Sequence, residues 1–80
     1  MDIDTARFTI RNAFRISGDL QALLPFLKRR CDADEYKEYA TAIAHAIDLV
    51  NVALLNRTIK VFPELEREIE ERISGHGRYI

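Results

Sequence analysis

The stretch from Asp34 to Lys60 carries one nearly unbroken helical pattern, and it constrains the fold more than any other part of the chain. Its apolar residues recur at intervals of three and four, which is the spacing of one face of an α-helix. Asp32 and Glu35 precede the pattern at the three-residue spacing of a capping box. The sequence therefore predicts a single long helix over 34–60. Its main apolar stripe consists of Tyr36, Ala40, Ile43, Ile47, Val50 and Leu54.

A second apolar row beside this stripe makes the apolar arc of the helix wide. The row contains Tyr39, Ala42, Ala46, Leu49 and Ala53. About 27 helical residues span roughly 40 Å, whereas a compact globule of this length is only about 30 Å across. We therefore expect a homodimer, the commonest closed oligomer, with a monomeric bundle as the alternative. The predicted interface residues are Tyr36, Tyr39, Ile43, Ile47, Val50 and Leu54.

Residues 1–16 fit two kinds of secondary structure. As a helix, their apolar residues share one face, and Asp2 or Asp4 can cap the start. As a strand, apolar residues alternate with arginines and other polar residues. A strand needs a partner, and the only other strand-like run is near 57–62. A helix is therefore favoured, and the alternative is an α+β fold with short strands near 7–16 and 57–62.

The rest of the chain predicts short helices around the long one. Ser17-Gly18-Asp19 is typical of a turn and a helix start. Pro25 predicts a kink in the leucine-rich segment that follows, or its division into two short helices. Pro63 predicts a break after the long helix and the start of an amphipathic helix that Gly75 ends. The predicted fold is an all-α bundle of about four helices around 34–60. It comprises a single domain, 1–74, and a flexible tail, 75–80.

Composition limits the classes of function. The chain has 80 residues, 48% of them hydrophobic, and a formal net charge of -1. This length predicts one core and no deep, multi-walled active site. Cys31 is the only cysteine, so no disulfide framework is possible within the chain, and no cofactor is expected. Acidic residues at 2 and 4 do not fit a signal peptide, and no apolar run approaches a membrane span. We therefore expect a cytoplasmic protein without a membrane partner.

Two hypotheses for function follow. The first is a protein-interaction module with a structural, adaptor or regulatory role, most simply a homodimer, and with room for another protein partner. His45 and Asp48 are one turn apart but have no third ligand or nucleophile at matching spacing, so no enzyme is expected. The second is a nucleic-acid-binding regulator whose basic ridge follows a phosphate backbone. That ridge would consist of Arg7, Arg11, Arg15, Lys28, Arg29 and Arg30.

Overall fold

The computed structural model of the chain describes residues 1–76, and these residues form three helices and no β-strand. Helix α1 spans Ile3–Arg30, helix α2 is the continuous helix Ala33–Val61, and helix α3 spans Glu64–His76. The all-α class is therefore confirmed. The α+β alternative is wrong, because both strand-like segments are helical. The predicted 34–60 helix lies within α2, and its break falls at Pro63 as expected.

Side-chain caps fix the starts of the first two helices. Asp2 is the N-cap of α1 and accepts a hydrogen bond of 2.7 Å from the backbone N–H of Thr5. This hydrogen bonding to Thr5 lowers the pKa of Asp2. Asp32 caps α2, and the full capping box with Glu35 is present, at 2.9 Å and 3.4 Å. The capping box predicted from the sequence is therefore confirmed.

Helix α1 is longer than the sequence predicts. The expected turn at Ser17-Gly18-Asp19 is wrong, and so is the expected division at Pro25, because one 28-residue helix runs through both. A helical glycine costs only about 1 kcal/mol, and Pro25 lies on the exposed side. The physical reason for continuity is a single line of residues spaced three and four apart. Its members, all buried or half-buried, are Ile3, Ala6, Ile10, Ala13, Ser17, Leu20, Leu24 and Leu27.

Helices α1 and α2 form an antiparallel hairpin. Only Cys31 and Asp32 join them, and the two helices contact each other. Spacing of three and four on both partners is that of a coiled-coil seam. Ala13 is small and buried in this seam, which allows a close approach of the two backbones. Ser17 Oγ is also buried, and it has no hydrogen-bond partner among the described residues.

Helix α3 covers one face of the open end of this hairpin. Ala6 and Ile10 of α1 form a buried cluster with Leu65 and Ile69 of α3. The end of α2 contributes the half-buried residues of the same cluster. These are Leu55, Ile59 and Phe62. The largest core of the chain therefore lies where all three helices meet.

A π-helical turn changes the register of α2. The helix is α-helical over Ala33–Val50, π-helical over Asn51–Asn56 and α-helical again over Arg57–Val61. A π-turn takes up more residues than an α-turn, so the inward stripe moves by one residue. Leu55 packs against the core, while Leu54, which the sequence places on the stripe, is 38% exposed.

The resulting molecule is long and thin. Its principal extents are 44 × 25 × 15 Å and its radius of gyration is 14.9 Å, whereas a compact chain of this length would have about 12 Å. The described residues form three helices, and the bundle of about four helices predicted from the sequence is not seen in the single chain. Gly75 does not end α3, which continues to His76. Residues 77–80 of the predicted tail lie outside the described residues.

A first prediction concerns the three-helix core. Leu65→Ala removes a fully buried side chain and should lower the free energy of unfolding by about 2–5 kcal/mol. Ile73→Ala is the matched control on the same helix, since Ile73 is 38% exposed, and it should cost less than half as much. Urea denaturation followed by circular dichroism measures both values. Equal losses would mean that α3 is not anchored through Leu65.

A second prediction concerns the π-turn. Deletion of the exposed Ala53 should convert the π-turn to an α-turn and leave the inward spacing of three and four unbroken through α2. The free energy of unfolding should then stay within about 1 kcal/mol of the wild-type value or rise. Deletion of Ala44, in the α-helical part, should instead misplace one half of the stripe and unfold the protein. If both deletions lower the free energy of unfolding equally, the π-turn does not arise from one extra residue in α2.

Candidate interaction surface

The two broad faces of the α1–α2 hairpin differ in what covers them. We call a position of α1 or α2 inward where its side chain faces the other helix of the hairpin. Residues that directly follow an inward position, such as Arg7 after Ala6 and Ile59 after Thr58, lie on the side that contacts α3. In an antiparallel pair, residues that precede an inward position lie on the opposite side of both helices. We call this side the open face. Within the part of the chain that the structure describes, no helix covers it.

The open face is apolar along most of α2 and on the part of α1 nearer the hairpin tip. Ile16 and Leu23 precede inward positions on α1, and Tyr39, Leu54 and Val61 do so on α2. Phe26 on α1 and Leu49 on α2 also precede inward positions, Leu27 and Val50. Most of the large apolar side chains that the structure leaves exposed are therefore on this face. They are Ile16, Leu23, Phe26, Tyr39, Leu49, Leu54 and Val61, which are 38–68% exposed.

Polar residues occupy the part of this face nearest the start of α1, at Thr5, Thr9 and Asn12. Thr9 Oγ1 donates a 2.9 Å hydrogen bond to the carbonyl of Thr5, and Asn12 Nδ2 donates one of 2.8 Å to that of Phe8, so both side chains bond to their own helix. The guanidinium of Arg30 lies 5.1 Å from the centre of the Phe26 ring at the hairpin tip. This distance is a cation–π contact. Contiguous apolar surfaces of more than a few hundred Å² are uncommon on monomers and mark sites of interaction.

The structure separates the predicted interface residues into two groups. Ile43 is 7% exposed, and Tyr36, Ile47 and Val50 are half-buried, all on the side of α2 that faces α1. They fill the hairpin of a single chain. The other two lie on the open face, where Tyr39 is 53% exposed and Leu54 is 38% exposed. Leu49, Ile16 and Leu23 belong to this face too, although the predicted set does not include them.

The predicted basic ridge is divided. Arg11 and Arg15 are exposed on α1, and so are Lys28, Arg29 and Arg30. Because α1 is one continuous helix, the 13 residues from Arg15 to Lys28 span about 20 Å along it. Without the predicted turn, the two basic groups stand at different levels of the molecule and form no single ridge.

Arg7 is engaged in an ion-pair network, and its side chain is 37% exposed. Its Nε donates to both carboxylate oxygens of Glu68 at 3.1 and 3.2 Å, and its Nη1 donates to Asp4 at 3.0 Å. Arg72 approaches the same Glu68 at 3.6 Å. The carboxylate of Glu68, followed by that of Asp4, raises the pKa of Arg7. The network connects α3 to α1 across 61 residues of sequence and supports the three-helix core.

The groups considered for chemistry are not brought together. His45 and Asp48 are both exposed on α2, and Thr41 Oγ1 donates to the carbonyl of Lys37 in its own helix. Cys31 is a free, half-buried thiol in the connection between α1 and α2. Among the described residues, no group of three His, Cys, Asp or Glu side chains could hold a metal ion. A shallow depression of about 580 Å³ is lined by residues of α3 alone and has no opposing wall. Its residues are Arg67, Glu70, Glu71, Ser74 and Gly75.

Helix α2 passes a membrane-span criterion that the sequence was not expected to meet. The helix Ala33–Val61 has 29 residues, and one window of it reaches a mean hydropathy of 1.2, with 6% of that window buried. By length and composition alone it could cross a membrane. The reason is that Asp48 is the only Asp, Glu, Lys or Arg residue between Tyr39 and Asn56. Core helices of soluble proteins, which are mostly buried, and signal sequences meet the same criterion, so cytoplasmic localisation remains a prediction.

Comparisons with protein-family models, with curated proteins and with solved structures find no match to this chain.

A third prediction tests the ion pairs of Arg7. Arg7→Ala should lower the urea midpoint of unfolding, because it removes the charged contact between α1 and α3. Arg11→Ala, four residues away and exposed, should leave the midpoint unchanged. The difference between the two variants should shrink in 1 M NaCl, since salt screens exposed charges. Identical midpoints at low salt would mean that the network adds nothing to the docking of α3.

Proposed function

We propose that this protein is a small protein-interaction module that works as a homodimer, in a structural, adaptor or regulatory role without catalysis. The observation that carries the proposal is the open face. A chain that buries only a short cluster between its three helices leaves most of its exposed large apolar side chains on one side. Removing that side from water is the main free-energy gain available to it.

The exposed surface area supports self-association. The chain exposes 6037 Å², whereas a monomeric globular protein of 9.3 kDa has about 5,000 Å². The excess, about 1,000 Å², is comparable with the roughly 800 Å² that each partner buries in a standard protein interface. A second chain on the open face would bring the ratio of surface to mass close to that of ordinary globular proteins.

The alternative, a nucleic-acid-binding regulator, has weaker support. It requires Arg7, Arg11 and Arg15 to act with Lys28, Arg29 and Arg30 along one phosphate backbone. Arg7 is instead bound to Glu68 and Asp4, and the two remaining groups are separated along α1. The net charge of -1 adds no general attraction to a polyanion.

The fourth prediction is the mass of the protein in solution. Light scattering after size exclusion, over at least a hundredfold range of concentration, should give twice the chain mass of 9.3 kDa. At the lowest concentrations the mass should fall toward the monomer value if the dimer dissociates. A monomer at every concentration would reject the homodimer. Binding of a short duplex DNA or RNA that weakens steeply with salt would support the nucleic-acid alternative instead.

A further inference from the structure

We propose that the open face binds a second copy of the chain in an antiparallel arrangement, α2 against α2, with the two-fold axis close to Ala46. This inference rests on the proposed function and assigns the surface and the orientation that it would use. Charge complementarity, the sizes of the side chains along α2 and the available apolar area support a second copy of the chain as the occupant.

Charges at the two ends of the α2 side of this face favour the antiparallel orientation. Glu35 lies eleven residues before Ala46 and Arg57 lies eleven residues after it, and both are exposed. Around a two-fold axis at Ala46, each Glu35 therefore comes level with the partner's Arg57. A parallel arrangement would place Glu35 beside Glu35 and Arg57 beside Arg57. Opposite charges at matched positions fix the orientation of partners more than they add affinity.

Small residues at the centre of this face allow the two α2 helices to approach closely. Ala42 and Ala46 lie between the larger Tyr39 and Leu49 on the same side of α2. With the axis at Ala46, Tyr39 faces the partner's Ala53, so a large side chain meets a small one. Alanine at the point of closest approach is typical of tightly packed helix pairs. The α1 residues Ile16 and Leu23 would then close the sides of the contact.

The amount of surface fits a second copy. The large exposed side chains of this face together offer on the order of 500 Å² of apolar area per chain, which is at the upper end for a monomer's surface patch. Stacking two hairpins by their open faces gives four long helices in two layers, each protected on its outer side in part by α3. Four helices around a common apolar core form a standard bundle.

A membrane surface is the competing occupant of such a face, and the observations favour a protein. Asp19 and, beside Phe26 at the hairpin tip, Arg30 lie on the α1 side of this face, and Glu35 and Arg57 lie on the α2 side. Groups of opposite charge at opposite ends suit a self-complementary contact. A basic border would suit anionic lipid better.

The experiment compares two glutamate substitutions at similarly exposed positions of α2. Leu49 is 68% exposed on the open face, and Val52 is 63% exposed on the outer edge of the helix, away from that face. Leu49→Glu should raise the dimer dissociation constant about 100-fold or more, because the two-fold axis buries two carboxylates without partners. Val52→Glu should leave the constant within about threefold of wild type. Circular dichroism must show equal helix content in both variants.

A cysteine variant tests the position of the axis by a different route. In a Cys31→Ser background, Ala46→Cys should form an intermolecular disulfide under mild oxidation, because a two-fold axis brings the two sulfurs together. Val52→Cys in the same background should not crosslink. This pair of variants remains informative even if Leu49→Glu fails to fold.

The outcomes separate the inference from the proposed function. A wild-type dimer that Leu49→Glu dissociates and that Ala46→Cys crosslinks supports the inference. A wild-type dimer that is unaffected by Leu49→Glu, or that crosslinks at 52 but not at 46, overturns the inference and leaves the homodimer standing. A wild-type monomer overturns both. A monomer that floats with phosphatidylcholine–phosphatidylserine vesicles, and loses this binding in Leu49→Glu, assigns the open face to a membrane instead.

Discussion

The contact between α1 and α2 is the interaction on which the rest of the structure depends. Most of the stability of helices in proteins comes from packing of their amphipathic faces, and each of these two helices packs on the other. Together they present one seam in which residues spaced three and four apart meet along the hairpin. The docking site of α3 exists only because the two helices are adjacent, since Leu65 and Ile69 pack on Ala6 and Ile10 of one helix beside Leu55 and Ile59 of the other.

The sequence predicts α2 well because its signals agree with one another. The capping box at Asp32 and Glu35, the apolar spacing and the stop at Pro63 all point to the same boundaries. It fails at Ser17, Gly18 and Pro25, where local preferences favour a turn or a break. There the long-range contact with α2 outweighs the local cost of a glycine and a proline, which together amount to only a few kcal/mol. No local pattern reveals such a contact unless the partner helix is already known.

The π-turn shows a second limit of reading the sequence. Strict spacing places Leu54 on the inward stripe, but the turn of Asn51–Asn56 gives that place to Leu55. Both are leucines and adjacent, so nothing in their composition indicates that Leu55 takes the inward place of Leu54. The signal was present only in a comparison of the two helices: α1 keeps its spacing of three and four to Ile3, while α2 must gain one residue for Ile59 and Phe62 to reach the same core.

The candidate surface follows from accepting α1 as one helix. The wide apolar arc of α2 then divides into two parts with different surroundings, whereas the sequence alone shows a single arc. The stripe with Ile43 and Ile47 packs against α1, whereas the neighbouring row with Tyr39 and Leu49 stays exposed. Once α1 is accepted as one continuous helix, the α1 half of this surface follows from the sequence. It consists of residues that precede inward positions, including Ile16 and Leu23.

The short length of α3 explains why one side of the hairpin stays uncovered. Helix α3 has 13 residues, or about 20 Å, while the molecule is 44 Å long. It can cover about half of one face of the hairpin and none of the other. Two long helices and one short one make little more than a single layer, whereas stable domains bury their apolar residues between two. In the proposed homodimer the second layer is a copy of the same hairpin, which has the length, the apolar surface and the matched end charges to provide it.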